Sequence, residues 1–224
     1  MHHVDKYIQE NIPRNLHDYA YETANELWSM LLALEKKKLV RPSLRGREKE
    51  FLQILMDTDR IFKAFNKFFG IYMEINKRDR FFELLRKEFG FNNEDFAYLL
   101  HSYMVFVFLA VTEMFKNTLV FVLKDISPKN TLGQLFGERG ILIKKTAEAK
   151  KIGDKLNIEL RNSLAHFMFQ KKGKTMFYYQ FKKDNEDWLF TKREIDISKL
   201  FETILRHNIL NKLLVEMIPE WYGL

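Results

Sequence analysis

The stretch LRNSLAHFMF, residues 160–169, places an arginine, an asparagine and a histidine within six positions, where a helical pattern gives way to a strand pattern. Apolar residues at Ala149, Ile152, Leu156, Leu160, Leu164 and Phe167 recur at three- and four-residue spacing, which predicts one helix over roughly Leu142 to Phe167. At 100° per residue these residues and Ser163 gather on one side, while Arg161, Asn162 and His166 fall on the other. Asn162 and His166 are one turn apart and overlie each other. Arg161 is about 140° around the axis from His166, too far for the two to cooperate on a single straight helix.

The rest of that outer face is not what solvent requires. Ala147, Ile158 and Ala165, with Phe169 beyond them, are small or apolar where charge is expected. A second copy of the helix packed across a two-fold axis satisfies such a face, with Ile158 in the contact and Ala165 letting the backbones approach. Two copies each of Arg161, Asn162 and His166 then meet in one cleft that neither subunit owns alone. A homodimer is the expected assembly.

Charge is concentrated around the same stretch. Of a formal net +7, residues 141–183 carry a local +8, from eleven Lys or Arg against Glu148, Asp154 and Glu159. Lys144, Lys145, Lys151, Lys155, Lys171, Lys172 and Lys174 are the candidates to gather a polyanion; a solvated lysine-rich face is the structural alternative. With 46% hydrophobic residues, 21 Phe and only 4 Pro, the composition is that of a chain with a core. It has no cysteine, hence no disulfide framework and no thiolate metal site. No basic-then-apolar leader opens it, so a cytoplasmic location is expected. The most apolar run, YMVFVFLAV from Tyr103, is interrupted by Thr112, Glu113, Lys116 and Asn117. It reads as a central buried helix, not a membrane span.

Helical spacing also covers about Leu16 to Lys38, the stretch of Phe51, Ile54, Leu55, Ile61, Phe62, Phe65 and Phe69, and Arg78 to Phe89, ended by Gly90. Asn92 or Asn93 caps the long apolar helix, which continues to about Lys124, and Thr131 with Gln134 forms a capping box for a short one. After Phe167, MFYYQF and WLFTKREI predict a β-hairpin whose polar turn of four to six residues falls in KKDNED. A last amphipathic helix starts at Asp196-Ile-Ser198. The expected fold is mainly α: a helical bundle with one β-hairpin after the motif helix, over residues 93–224, and an added N-terminal helical region, residues 1–92, of unassigned role and expected to pack on the core.

Cleaving RNA without a metal requires a base for the 2′-hydroxyl proton and a cation for the charge on the developing phosphorane. Neutral imidazole suits the first task near pH 7 and a planar guanidinium the second. Arg161-Asn162-Ser163-Leu164-Ala165-His166, ending a helix that follows a long apolar one, resembles the Arg-polar-x3-His signature of the HEPN superfamily (higher eukaryote and prokaryote nucleotide-binding domains). The resemblance covers residues 93–218. It implies an all-α dimeric domain whose active members are metal-independent endoribonucleases that leave 2′,3′-cyclic phosphate ends on single-stranded RNA. Arg161 and His166 are then the catalytic pair and Asn162 the supporting polar residue, with no metal or cofactor. The superfamily also holds inactive RNA-binding or partner-binding members in toxin–antitoxin, CRISPR and anti-phage settings, so an antitoxin or other regulatory protein is a further expected partner.

Other candidates read as structural. His101 is expected in the core or at its boundary, and Glu113 is expected to pair with Lys116 or a buried arginine. Asp57 and Asp59 face different sides of a helix, as do Arg206 and His207, and His2 and His3 are expected at a mobile terminus. Phe177, Tyr178 and Tyr179 are divided between packing on the bundle and stacking on exposed bases.

Overall fold

The chain is mainly helical with one small antiparallel sheet. The computed structural model describes residues 2–75, 80–90, 92–166, 169–172, 175–184 and 187–223. The helices are α1 (His2–Asn11), α2 (His17–Lys36), α3 (Glu48–Ile75), α4 (Arg80–Phe89), α5 (Asn93–Val122), α6 (Leu132–Phe136), α7 (Ile141–Lys145), α8 (Glu148–Lys155), α9 (Ile158–Ala165) and α10 (Ile197–Tyr222). The strands β1 (Phe169–Lys172), β2 (Thr175–Asp184) and β3 (Asp187–Asp196) lie between α9 and α10, with β2 in the centre.

The predicted caps form. Asn92 Oδ1 accepts from the backbone N–H groups of Glu94 and Asp95 while Asp95 accepts from Asn92 N–H, which starts α5. Thr131 and Gln134 make the same reciprocal pair at α6, and Asp196 caps α10. Gly90 ends α4 with φ +67°, a left-handed backbone that favours glycine. The predicted start of that helix at Arg78 lies outside the described residues.

The single helix expected over Leu142 to Phe167 is three short ones. Thr146 turns extended, and its hydroxyl hydrogen-bonds the Glu148 carboxylate. Asn157 takes a left-handed φ of +43° and its side chain accepts from Leu160 N–H, so it caps a new helix in place of continuing the old one. Short polar side chains that bond neighbouring backbone compete with helix propagation, and both breaks fall on such residues. Ala147 is therefore not on the face of Arg161 and His166. Ile158 is half-buried against its own chain's core, and Ala165 is half-buried.

The sheet also exceeds the reading. Pairing continues through Lys182 and Lys183 to Asp184↔Asp187, which takes four of the six KKDNED residues into the ladder. β1 adds a third strand, too short for alternation to reveal it. At the other end of the chain, α1 replaces the expected mobile terminus: Val4 and Ile8 are fully buried, and His3 Nε2 lies 2.9 Å from Glu216 of α10.

Among the described residues two apolar clusters form the interior. The larger joins α1 and α2 to the C-terminal half of α5, to α6 through α8 and to the second half of α10. The smaller joins the first half of α5 to α9, the sheet and the start of α10. Tyr98–Val122 is long and apolar enough to cross a membrane by length and composition, and in this fold it is largely buried between α10, α3 and α9, as a central helix.

His207 of α10 ties these parts together. Its Nδ1 lies 3.0 Å from Thr112 Oγ1 of α5 and its Nε2 lies 3.0 Å from the carbonyl of Lys155, the last residue of α8. A carbonyl only accepts, so Nε2 carries the proton, and the single Thr112 hydroxyl proton is shared between Nδ1 and the Phe108 carbonyl, 2.5 Å from Oγ1. Burial pushes the His207 pKa down to about 4, with the Lys155 hydrogen bond opposing. The folded imidazole is thus neutral at pH 5, where the unfolded one is protonated, and stability falls as pH drops from about 6.5 towards 4. Between pH 7.5 and 5.0 this group alone is expected to remove about 2 kcal/mol, read as a lower urea midpoint at unchanged slope. His207→Gln should flatten that pH dependence whatever it does to the absolute stability; an equally steep profile in the variant would assign the loss to other groups.

Candidate functional site

The Asn157 break sets α9 at a new angle from α8, and α9 packs on β2, α5 and α6. Leu160 and Leu164 are fully buried in the smaller core cluster. Between them, buried Ser163 places its hydroxyl 2.9 Å from the Glu159 carbonyl and 2.7 Å from the Tyr179 carbonyl of β2. One hydroxyl so anchors the middle of α9 to the sheet and fixes which residues face outward.

Arg161 faces α5. Its Nη2 donates to Glu113 Oε2 at 3.3 Å and its Nη1 to Asn162 Oδ1 at 3.3 Å. The other Glu113 oxygen pairs with Lys116 Nζ, which also approaches the Pro128 carbonyl at 3.4 Å. The Asn162 amide lies against the Gly133 backbone of α6, where a Cβ would sit 3.8 Å from Nδ2. Side-chain exposure grades from 9% at Lys116 through 20% at Arg161 to 37% at Glu113. Two cations and one carboxylate leave a net positive charge at the surface. Each terminal nitrogen of Arg161 keeps one N–H without a hydrogen bond among the described residues, and its buried Nε has no partner there either.

His166 is exposed, one position past the end of α9, where its backbone N–H closes onto the Asn162 carbonyl at 3.1 Å. Its ring makes no hydrogen bond among the described residues. The structure therefore brings Arg161, Asn162, Glu113 and Lys116 into one network, and within one chain it forms no bond between that network and the imidazole.

The basic residues divide. Lys144, Lys145 and Lys151 are exposed on α7 and α8, and Lys172 is exposed on edge strand β1. Lys155 is committed elsewhere: its ammonium is 3.3 Å from Glu22 and 3.2 Å from Glu26, with 16% of the side chain exposed. Lys174 lies outside the described residues, and only the backbone of Lys171 within β1 is described. Tyr178 packs on the smaller core. Phe177 and Tyr179 occupy the other face of β2, Phe177 beneath the Lys192 ammonium at 4.1 Å and Tyr179 with its hydroxyl 3.4 Å from Gln170. Arg206 and His207 diverge as expected, Arg206 to Glu202 and over the Tyr19 ring, His207 into the core.

Glu113 contributes to the site through its pairing, and the signal was a carboxylate at the end of an apolar run. Comparison of the chain with protein-family models, with curated proteins and with solved structures returns no match.

Removing the Glu113 carboxylate leaves the nearly buried Lys116 with one long contact to a carbonyl. Glu113→Ala is expected to cost about 2 kcal/mol in urea denaturation, the penalty of a desolvated group that loses its partner. Adding Lys116→Met should recover at least half of that loss, because the unpaired charge goes with it. Full additivity of the two substitutions would show that the pair is not coupled.

Proposed function

We propose that the chain is a metal-independent endoribonuclease of HEPN type, acting as a cytoplasmic homodimer on single-stranded RNA. The observation that carries the proposal is the Arg161 arrangement: a guanidinium held from behind by Glu113 and Asn162, with an N–H left on each terminal nitrogen, five residues before an exposed, uncommitted imidazole. The guanidinium meets the scissile phosphate and stabilises charge as the phosphorane forms. His166 withdraws the 2′-hydroxyl proton, the 2′-oxygen attacks the adjacent phosphorus, and the 5′-oxygen leaves, so the upstream fragment ends in a 2′,3′-cyclic phosphate.

A composite site is favoured by what α5 leaves uncovered. Leu99 is 48% exposed and Phe106 64% exposed, and Phe106, Ala110, Glu113 and Asn117 follow one another at helical spacing along one stripe. An apolar stripe that runs into the Arg161 network is a surface for a second copy, which would bring a partner imidazole to the guanidinium. Phe106→Glu is expected to shift dimer to monomer in sedimentation and to abolish cleavage; a wild-type monomer that cleaves with undiminished rate would refute the composite site.

The direct test is cleavage of single-stranded RNA in EDTA beside His166→Ala and Arg161→Ala. Loss of a general base or of a phosphate-stabilising cation is expected to slow cleavage about 100-fold or more. Cleavage that persists in both variants, or that needs a divalent ion, removes the mechanism. The ion pair favours one second reading, a non-catalytic RNA-binding or partner-binding module in which Glu113 keeps Arg161 for structure. That reading predicts RNA retention without cleaved ends, indifferent to His166→Ala and lost on reversing the charge of Lys171 and Lys172.

A further inference from the structure

A cavity of about 370 Å³ opens between the segment after α2, the start of α3 and the last turns of α5. We infer that it holds one nucleotide unit beside the scissile phosphate, an inference that rests on the endoribonuclease reading above. Asn117 lines the cavity one turn beyond Glu113, about 6 Å along the α5 axis. Pro128, whose carbonyl meets Lys116, lines it too. The cavity and the Arg161 network thus share a wall, and a strand of RNA with its scissile phosphate on Arg161 passes next into this space.

The lining has the chemistry of a nucleotide. Arg41 donates Nε to the Phe121 carbonyl at 3.1 Å, and its two terminal nitrogens have no hydrogen-bond or carboxylate partner among the described residues. Neighbouring Arg47 is spent, with Nη1 on the Phe121 carbonyl, Nε and Nη2 on Glu50, and its guanidinium 4.5 Å from the Phe121 ring. Glu50 bonds Arg47 directly and meets Arg41 only at longer range, so two guanidiniums face one carboxylate at this mouth and Arg41 is the phosphate ligand. Both guanidiniums cover the Phe121 carbonyl, so an incoming anion meets them and not the negative end of α5.

The base edge is provided for as well. Gln53 gives one amide hydrogen to Asp57 at 2.8 Å and keeps its carbonyl oxygen and a second N–H. Asn117 is exposed and its amide is uncommitted among the described residues. Paired acceptor and donor groups of this kind match the hydrogen-bonding edge of a base, and Ile54 and Val120 supply apolar walls for its faces.

The nucleotide unit belongs either to the RNA chain or to a free nucleotide, and titration separates the two. The probes are AMP, GMP, CMP and UMP, inorganic phosphate, and a 2′-O-methyl hexanucleotide that lacks the attacking hydroxyl, each titrated calorimetrically into the wild-type chain. The oligonucleotide should bind more tightly than any mononucleotide and weaken about tenfold in Arg41→Gln and again in Gln53→Ala/Asn117→Ala, whose exposed positions leave the fold intact by circular dichroism. A mononucleotide that binds more tightly than the oligonucleotide, with the same sensitivity to the variants, upholds the pocket and makes the free nucleotide its ligand. Oligonucleotide affinity unchanged in both variants overturns the inference, as does competition by inorganic phosphate equal to that of the mononucleotides. Failure of the endoribonuclease reading looks different: variant-sensitive binding with no cleavage of unmodified RNA. Cleavage by the wild type with KM unchanged in the pocket variants defeats this inference alone.

Discussion

The hydrogen-bonded contact of His207 with Thr112 and the Lys155 carbonyl decides where the candidate site lies. The three partners come from α10, α5 and the end of α8, and the chain leaves α8 for α9 only two residues after Lys155. Thr112 immediately precedes Glu113, and Asn157, which restarts the helix, leads four residues later to Arg161. Fixing Thr112 against Lys155 therefore fixes the carboxylate on one side and the origin of its arginine partner on the other. A second polar contact, Thr118 hydroxyl to Asn211 Oδ1 at 3.3 Å, sets the same two long helices in register farther along. Apolar packing alone leaves a helix pair free to slide by a turn at modest cost; a buried polar pair left unmatched by such a slide costs much more.

The electrostatics of the site follow from burial. A lone arginine at 20% exposure beside apolar α9 residues would be poorly solvated, and Glu113 offsets that loss. Alone, the carboxylate would cancel the arginine charge. Lys116 prevents this by adding a second cation, itself nearly buried. The result is a guanidinium whose position is set by one neighbour and whose net field is restored by another. His166, in contrast, sits past the helix end, exposed, with no hydrogen bond to its ring among the described residues.

What the sequence disclosed and what it concealed divide along physical lines. Caps at Asn92, Thr131 and Asp196 were legible because a short polar side chain before a periodic run has one dominant use. The trio at Arg161, Asn162 and His166 stood out in the sequence by residue type and spacing. Its geometry was not legible, because apolar spacing through Ala149, Ile152, Leu156, Leu160 and Leu164 stays in phase across the break at Asn157. Periodicity reports which side is buried and is blind to a kink that preserves the side. Lys155 illustrates a related limit: as one lysine in a basic run it read as a polyanion contact, but its partners Glu22 and Glu26 lie more than a hundred residues earlier in the chain. His207 and Asn211 were visible in principle, since they share the face of Ile204 and interrupt an otherwise apolar stripe of α10. A polar residue on a core face announces a buried partner without naming it.

The same reasoning bears on the first ninety residues, which carried no motif. Val4, Leu27 and Met30 share one fully buried cluster with Leu213 and Met217, so α1 and α2 complete the surface of α10 and do not stand apart as an appended module. The backbone of Val40 bridges to Leu123, and Arg41 N–H bonds the Val122 carbonyl at 2.9 Å, which fastens the segment after α2 to the end of α5. That fastening has a geometric consequence. It sets Arg41 at the far end of the same α5 stripe that carries Glu113, on backbone held from both sides. A basic side chain delivered by a loose tail would sample many positions and lose entropy on meeting a ligand; one delivered by a bridged segment is already in place. Residues without a recognisable signature can thus complete a surface whose signature lies more than a hundred positions away.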